Sequence, residues 1–310
     1  MLKKILKKKF LISITAVFIL LIIYFVSNNE VEFNQELAYV DNDFKVTNIY
    51  LMDSYEFISL ASVAINENRV EAKAREIIDI LIQDGPGESK IPSGFKSIIN
   101  PDVTLNNISF ENGILKLDFS DNLFDTKEDY EIKILESIIF SLTSIKEVKG
   151  IEISIAGKPL VELPKSKIKL PKILDKTFGI NKNYAISDLD NVSKATIYYI
   201  NKYNDNYYYV PVTKYINNNL DKVDLIVSEL RDNNYYLTGL MSFINANVNL
   251  LDTSIENDEI TLNFDKNLYN DQDSKEVFKE VINAINLSIE ATYGIESISY
   301  VVENEPLNIN

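Results

Sequence analysis

Two hydrophobic rhythms alternate along the chain, and the order in which they appear is repeated. Asn48-Ile49-Tyr50-Leu51 and, much later, Thr196-Ile197-Tyr198-Tyr199 are short aromatic and β-branched runs that predict strands. Each is followed by a helical period. Val70, Ala74, Ile77, Ile78 and Leu81 fall on one helix face in the first copy, and Val223, Ile226, Val227 and Leu230 repeat that face in the second. Next comes a pair of strands around a polar turn. Val103-Thr104-Leu105, Glu111-Asn112-Gly113 and Ile114 to Phe119 are matched by Val248-Asn249-Leu250, Glu256-Asn257-Asp258 and Ile260 to Phe264. Leu115, Leu117 and Phe119 alternate with Lys116 and Asp118, as Ile260, Leu262 and Phe264 alternate with polar neighbours, which suits a half-buried hairpin.

A second helix carries Ile134, Ile138 and Leu142 in copy one and Phe278, Val281, Ile285 and Ile289 in copy two, with Gly150 and Gly294 near their C-terminal ends. Closing strands run from Ile151 to Ile155 before Pro159-Leu160, and from Ile298 to Val302 before Pro306-Leu307. The pattern predicts an α+β protein with two tandem β-α-β-β-α-β domains, at 47–160 and 194–308. A mixed sheet with right-handed crossovers and helices over one face is the expected layering. Between them, the segment 161–193 contains Leu163-Pro164-Lys165-Ser166-Lys167-Ile168-Lys169-Leu170-Pro171-Lys172. Its bracketing prolines predict an extended, solvated connector, and its lysines are a candidate contact for an acidic partner or an anionic wall polymer.

The N-terminus has a different pattern. Residues 1–9 form a basic tip with five lysines, 10–26 an almost wholly apolar run, and 27–46 a polar, acidic stalk. At about 1.5 Å per residue the apolar run spans roughly 25 Å, enough for one transmembrane helix with snorkelling lysines and Tyr24 at the interfaces. Lysines before it and Glu30, Glu32 and Glu36 after it place the N-terminus in the cytoplasm and the two domains outside the cytoplasm. A cleaved signal peptide is disfavoured because Ser27-Asn28-Asn29-Glu30 makes a poor cleavage site, and a lipoprotein would need a cysteine.

Composition narrows the chemistry. The net charge of −15 leaves about −20 beyond the basic tip, a surface that repels phosphate backbones and argues against nucleic acid as a partner. The 310 residues include no cysteine, histidine or tryptophan. Thiol enzymes, histidine-based triads and the usual zinc sites are therefore closed, and the nine glycines form no phosphate-binding loop, so neither a cofactor nor a metal is expected.

Two features stay open. Asp118, Asp121, Asp125, Glu128 and Asp129 could supply a glycosidase-like acid/base pair or a calcium site. Copy two answers the first three with Asn263, Lys266 and Asn270 while keeping the apolar frame as Phe119/Phe264, Leu123/Leu268 and Phe124/Tyr269, so a solvated loop is the stronger reading. Tyr198, Tyr199, Tyr203, Tyr207, Tyr208, Tyr209 and Tyr215 crowd one segment; sheet packing accounts for most of them, and the outward-facing ones suit a protein or glycan partner.

Copy one resembles the GerMN domain, the unit found in tandem in GerM-type spore germination and sporulation proteins of endospore-forming bacteria. The resemblance is carried by Leu81-Ile82-Gln83-Asp84-Gly85-Pro86, by Ile91-Pro92-Ser93-Gly94-Phe95, and by Leu115-Lys116-Leu117-Asp118-Phe119-Ser120, which is similar to the family's V-D-L-S strand. Copy two departs at Asn233-Asn234, which answers Gly85-Pro86, but carries Val210-Pro211-Val212-Thr213-Lys214, similar to the family's V-P-V-T-R opening. The resemblance implies a fold similar to the ring-building motif of secretion-system proteins. It further implies a non-enzymatic role between mother-cell and forespore membranes, as a scaffold within the channel complex that joins them. Partners would be other envelope or sporulation-channel proteins, in an assembly that includes a ring-forming oligomer among its options. The alternatives are a wall-glycan or peptide-binding envelope protein unrelated to spores, and a carboxylate-dependent hydrolase.

Overall fold

The computed structural model describes residues 46–218, 220–232, 239–271 and 273–307. The basic tip, the apolar run, the stalk apart from Val46, and the Asn233-Asn234 pair lie outside them. Among the described residues no helix is long and apolar enough to cross a membrane.

Copy one comprises β1 (Val46–Asp53), β2 (Ile58–Ala64), α1 (Val70–Leu81), a short β3 (Phe95–Lys96), β4 (Leu105–Glu111), β5 (Ile114–Phe119), α2 (Glu128–Leu142), β6 (Gly150–Ile155) and β7 (Lys158–Pro159). A short β8 (Asn183–Ala185) follows in the connecting segment. Copy two contributes β9 (Val192–Tyr203), β10 (Asn206–Asn217), α3 (Lys222–Arg231), β11 (Leu250–Glu256), β12 (Glu259–Phe264), α4 (Lys279–Tyr293), β13 (Ser297–Val302) and β14 (Glu305–Pro306). Each copy thus opens on a hairpin, not on a single strand, which corrects the β-α-β-β-α-β order. The second strand escapes periodicity because β2 is covered on both faces, so Ile58-Ser59-Leu60-Ala61 reads as a run without alternation.

The hairpins expected from Asn112-Gly113 and Asn257-Asp258 form as predicted. All four residues have positive φ (51°, 83°, 48° and 62°), the conformation a two-residue turn between right-twisted strands needs. In each copy the order is β4-β5-β6-β7 or β11-β12-β13-β14, with the central pair parallel and the outer pairs antiparallel. Helices α2 and α4 make the crossovers that the parallel pairs require.

A third sheet, in the order β3-β1-β2-β10-β8 with β9 paired to β10, belongs to both copies at once. The two opening hairpins lie edge to edge in it, and the described residues form one compact body. Helix α2 lies on β1 and α4 on β9. Ser141 Oγ accepts the Tyr50 N–H (2.8 Å) and Ser288 Oγ accepts the Tyr198 N–H (2.9 Å), so each helix satisfies a strand donor it buries. The predicted faces are buried throughout α1, α2 and α3, save for half-buried Val70. Phe278 is the exception: it stands just before α4 at the N-cap position and is 47% exposed.

The connecting segment is no solvated tether. Leu163, Leu174 and Ile180 are buried, and Leu174 exchanges backbone hydrogen bonds with Ile151 (2.8 and 2.9 Å). Gly150 makes this approach possible, since a Cβ there would lie 2.7 Å from the Ile173 side chain. The prolines and lysines of the segment govern its extended course. They do not reveal that its isolated apolar residues enter the core.

Candidate functional site at the seam between the copies

Local sequence explains why the two hairpins meet. Strands β2 and β10 share a single register pair, Leu60 with Tyr209, and beyond it they part. Asn181, held at φ 44°, fills the gap: its side chain donates to the carbonyls of Ile58 (2.8 Å) and Pro211 (2.7 Å) and accepts the Ile58 N–H (3.0 Å). The Asn181 N–H in turn donates to buried Glu136 on α2 (2.9 Å), whose carboxylate also pairs with Lys182 (2.9 Å). Burial raises the Glu136 pKa above the ordinary glutamate value despite the lysine beside it.

Equivalent tyrosines also meet at the seam. The hydroxyls of Tyr50 and Tyr198 are 2.6 Å apart and fully enclosed, and burial pushes both phenols well above their usual range. Asp53 is equally buried and ties the copies a third time. It accepts from the Tyr55 and Phe57 N–H groups (2.8 and 2.9 Å), from Ser59 (2.9 Å) and from the Tyr208 hydroxyl of copy two (3.0 Å). Phe95 packs edge-on against Tyr208 at 5.0 Å, and a Cβ at neighbouring Gly94 would strike Tyr203. The Pro92-Ser93-Gly94-Phe95 stretch therefore belongs to the joint between copies.

The acidic cluster does not converge. Among the described residues no group of three or more carboxylates is placed to hold a metal ion. Asp118 accepts the Gly157 N–H (2.7 Å), fixing the β6–β7 turn, and Asn263 does the same for the Asn304 N–H (3.3 Å) in copy two. Because an amide serves where the acid does, the role is that of a hydrogen-bond acceptor. Asp121, Asp125, Glu128 and Asp129 are exposed on the following loop and the start of α2.

The tyrosines separate by face. Tyr198, Tyr199 and Tyr208 are buried, and Tyr203, Tyr209 and Tyr215 half-buried. Tyr207 is 45% exposed and packs edge-on against Phe243, which reaches Phe278. Tyr184, outside the tyrosine cluster, stacks on Tyr215 at 4.7 Å. In the connecting segment Lys169 and Lys167 pair with Glu162, Lys172 pairs with Glu152, and Lys165 donates to the Thr126 carbonyl. Sequence reasoning missed Asp53, Glu136 and Asn181, and also Glu131, buried on α2, which accepts the Lys165 and Ser166 N–H groups (2.8 and 2.9 Å). Their signal is three-dimensional: a buried acid on a helix or strand end looks like any surface acid until its neighbours are known.

The spore germination protein GerM of Bacillus subtilis (strain 168) is 27% identical over 267 residues, which cover 84% of this chain and 72% of that protein. The solved tandem GerMN domains of the sporulation protein GerM from Bacillus subtilis align with a TM-score of 0.76 at 27% identity, covering 84% of this chain and 91% of the solved one. The family model for sporulation and spore germination, Germane, matches residues 22–161 and 196–308. With both copies matched and the paired architecture shared, this chain belongs to the Germane family of sporulation and spore germination proteins and carries tandem GerMN domains.

Proposed function

We propose that this protein is a non-catalytic scaffold of the sporulation envelope, held in the membrane by its apolar N-terminal run, with both GerMN domains outside the cytoplasm. Its partners are other proteins of the complex joining mother cell and forespore. The observation that carries this reading is the seam: two copies share one sheet, and the buried polar groups at their joint hold backbone and side chains together. Such a body offers partners two related surfaces at a fixed spacing. The five lysines before the apolar run, followed by an acidic stalk, support the orientation. Deletion in a spore-forming host, followed by a count of heat-resistant spores, tests the reading. A marked fall is expected, restored by a copy carrying Asp118→Asn and Asp121→Asn. Normal spore yield after deletion, or failure of that copy alone, would contradict it.

A second reading, glycan or peptide binding, is favoured by exposed Tyr207 and by the Tyr184–Tyr215 stack. Retention on wall glycan that Tyr184→Ala and Tyr207→Ala abolish would support it. Tyr208 lies inside the seam and has no part in such a surface.

A further inference from the structure

The two copies differ at a groove beside their second helix, and copy one reveals what that groove is shaped to hold. Shared hydrogen bonds fix the equivalence. Leu160 N–H donates to the Ile153 carbonyl and Leu307 N–H to that of Tyr300, each at 2.9 Å, while Ser141 and Ser288 hold matching strand tyrosines. Glu131 and Leu135 of α2 therefore correspond to Phe278 and Ile282 at α4. In copy one the chain beyond Leu160 turns back over α2. Leu163 is fully buried, the N–H groups of Lys165 and Ser166 donate to the Glu131 carboxylate (2.8 and 2.9 Å), and the Lys165 ammonium binds the Thr126 carbonyl. In copy two the matching Phe278, Ile282 and Leu307, with Tyr269, line a groove of about 640 Å3 among the described residues.

We propose that this groove in copy two is a docking site for an extended peptide segment of a partner protein, bearing a leucine-sized side chain followed two residues later by a lysine. The volume is that of a specific ligand site, and its wall includes a 47% exposed phenylalanine. Charge fits the lysine. The Thr126 region corresponds to a loop carrying Asp271, Asp273 and Glu276, whose Lys275 is already paired with Glu305 (3.1 Å). Phe278 in place of Glu131 removes the acceptor for peptide N–H groups and adds an aromatic face, so the occupant is held more by its apolar side chain than by its backbone. The inference is independent of the scaffold reading, because a peptide groove would serve a protein of any role.

The test is fluorescence anisotropy of a labelled peptide copying residues 160–170, titrated with the full chain in detergent. Saturable binding is expected. It should weaken about ten-fold or more with Phe278→Ala in the protein, and likewise with aspartate in place of the peptide's leucine at position 163. Phe278→Tyr should retain it. Absence of saturable binding, or binding that Phe278→Ala leaves unchanged, overturns the proposal. So does self-association that Phe278→Ala abolishes in the absence of peptide binding, which would assign the groove to a second copy. A crosslink from a photoreactive residue at 278 to residues 308–310 would assign it to the chain itself and overturn the proposal equally.

Discussion

Copy one and copy two keep matching bonds at the paired tyrosines of the seam and differ beside their second helices. At the seam, Tyr50 and Tyr198 touch each other, and Ser141 and Ser288 each hold one of their N–H groups. At the groove, copy one has a buried glutamate beneath its own connecting segment, while copy two has an exposed phenylalanine. Position 118 in one copy and 263 in the other lies between these extremes, an acid and an amide doing one job. The difference teaches that the apolar skeleton and a few backbone-capturing side chains specify this unit. Formal charge on its loops is free to change.

The comparison can be broken most forcefully in the cores. Phe119 and Phe264 are equivalent and fully buried, so Phe119→Ala and Phe264→Ala should each cost about 3–5 kcal/mol in denaturant unfolding. Costs that differ by more than their range would show that the copies are not built alike. A smaller effect sharpens the seam. Tyr50→Phe or Tyr198→Phe leaves the partner hydroxyl enclosed without a bond, at about 1–3 kcal/mol each. The double variant should cost less than the sum of the singles, because it removes both hydroxyls together. Simple additivity would deny the pair any coupling.

Glu131→Ala probes the asymmetry between the grooves. It strips the acceptor from two N–H groups, so trypsin should cut faster at Lys165 and Lys167, whereas Phe278→Ala should leave that cleavage unchanged. The smallest effect expected is pH-dependent and local to Glu136. Its folded pKa is raised by burial, so the folded state binds this proton more tightly than the unfolded chain. Stability from this group is therefore present at low pH and lost as pH rises above the ordinary glutamate value. Melting temperatures of the parent and Glu136→Gln should diverge above that value, the variant lacking this component of the decline. Parallel profiles would exclude it.

Much of this was legible from residue patterns, for reasons that also explain the gaps. Leu115, Leu117 and Phe119 alternate cleanly because Lys116 and Asp118 separate them in β5, and Asn112-Gly113 names its own turn. The duplication was equally visible, since a recurring order of periods needs no tertiary information. Strand β2 was lost because burial on both faces erases alternation. The shared sheet was lost because strands far apart in sequence meet at one register pair, secured by Asn181, an unremarkable residue in a polar stretch. Leu163 and Leu174 stand alone among lysines and prolines in a segment whose pattern predicts an extended connector, because what buries them is a helix and a strand encoded earlier in the chain.

Calorimetric unfolding of the region from Phe44 onward bears most directly on the claim that the two copies form one body. A common sheet with Asp53 and the tyrosine pair buried across it, and Asn181 bridging its two hairpins, predicts a single transition, with calorimetric and van't Hoff enthalpies in agreement. Two separate transitions, one for each copy, would contradict it.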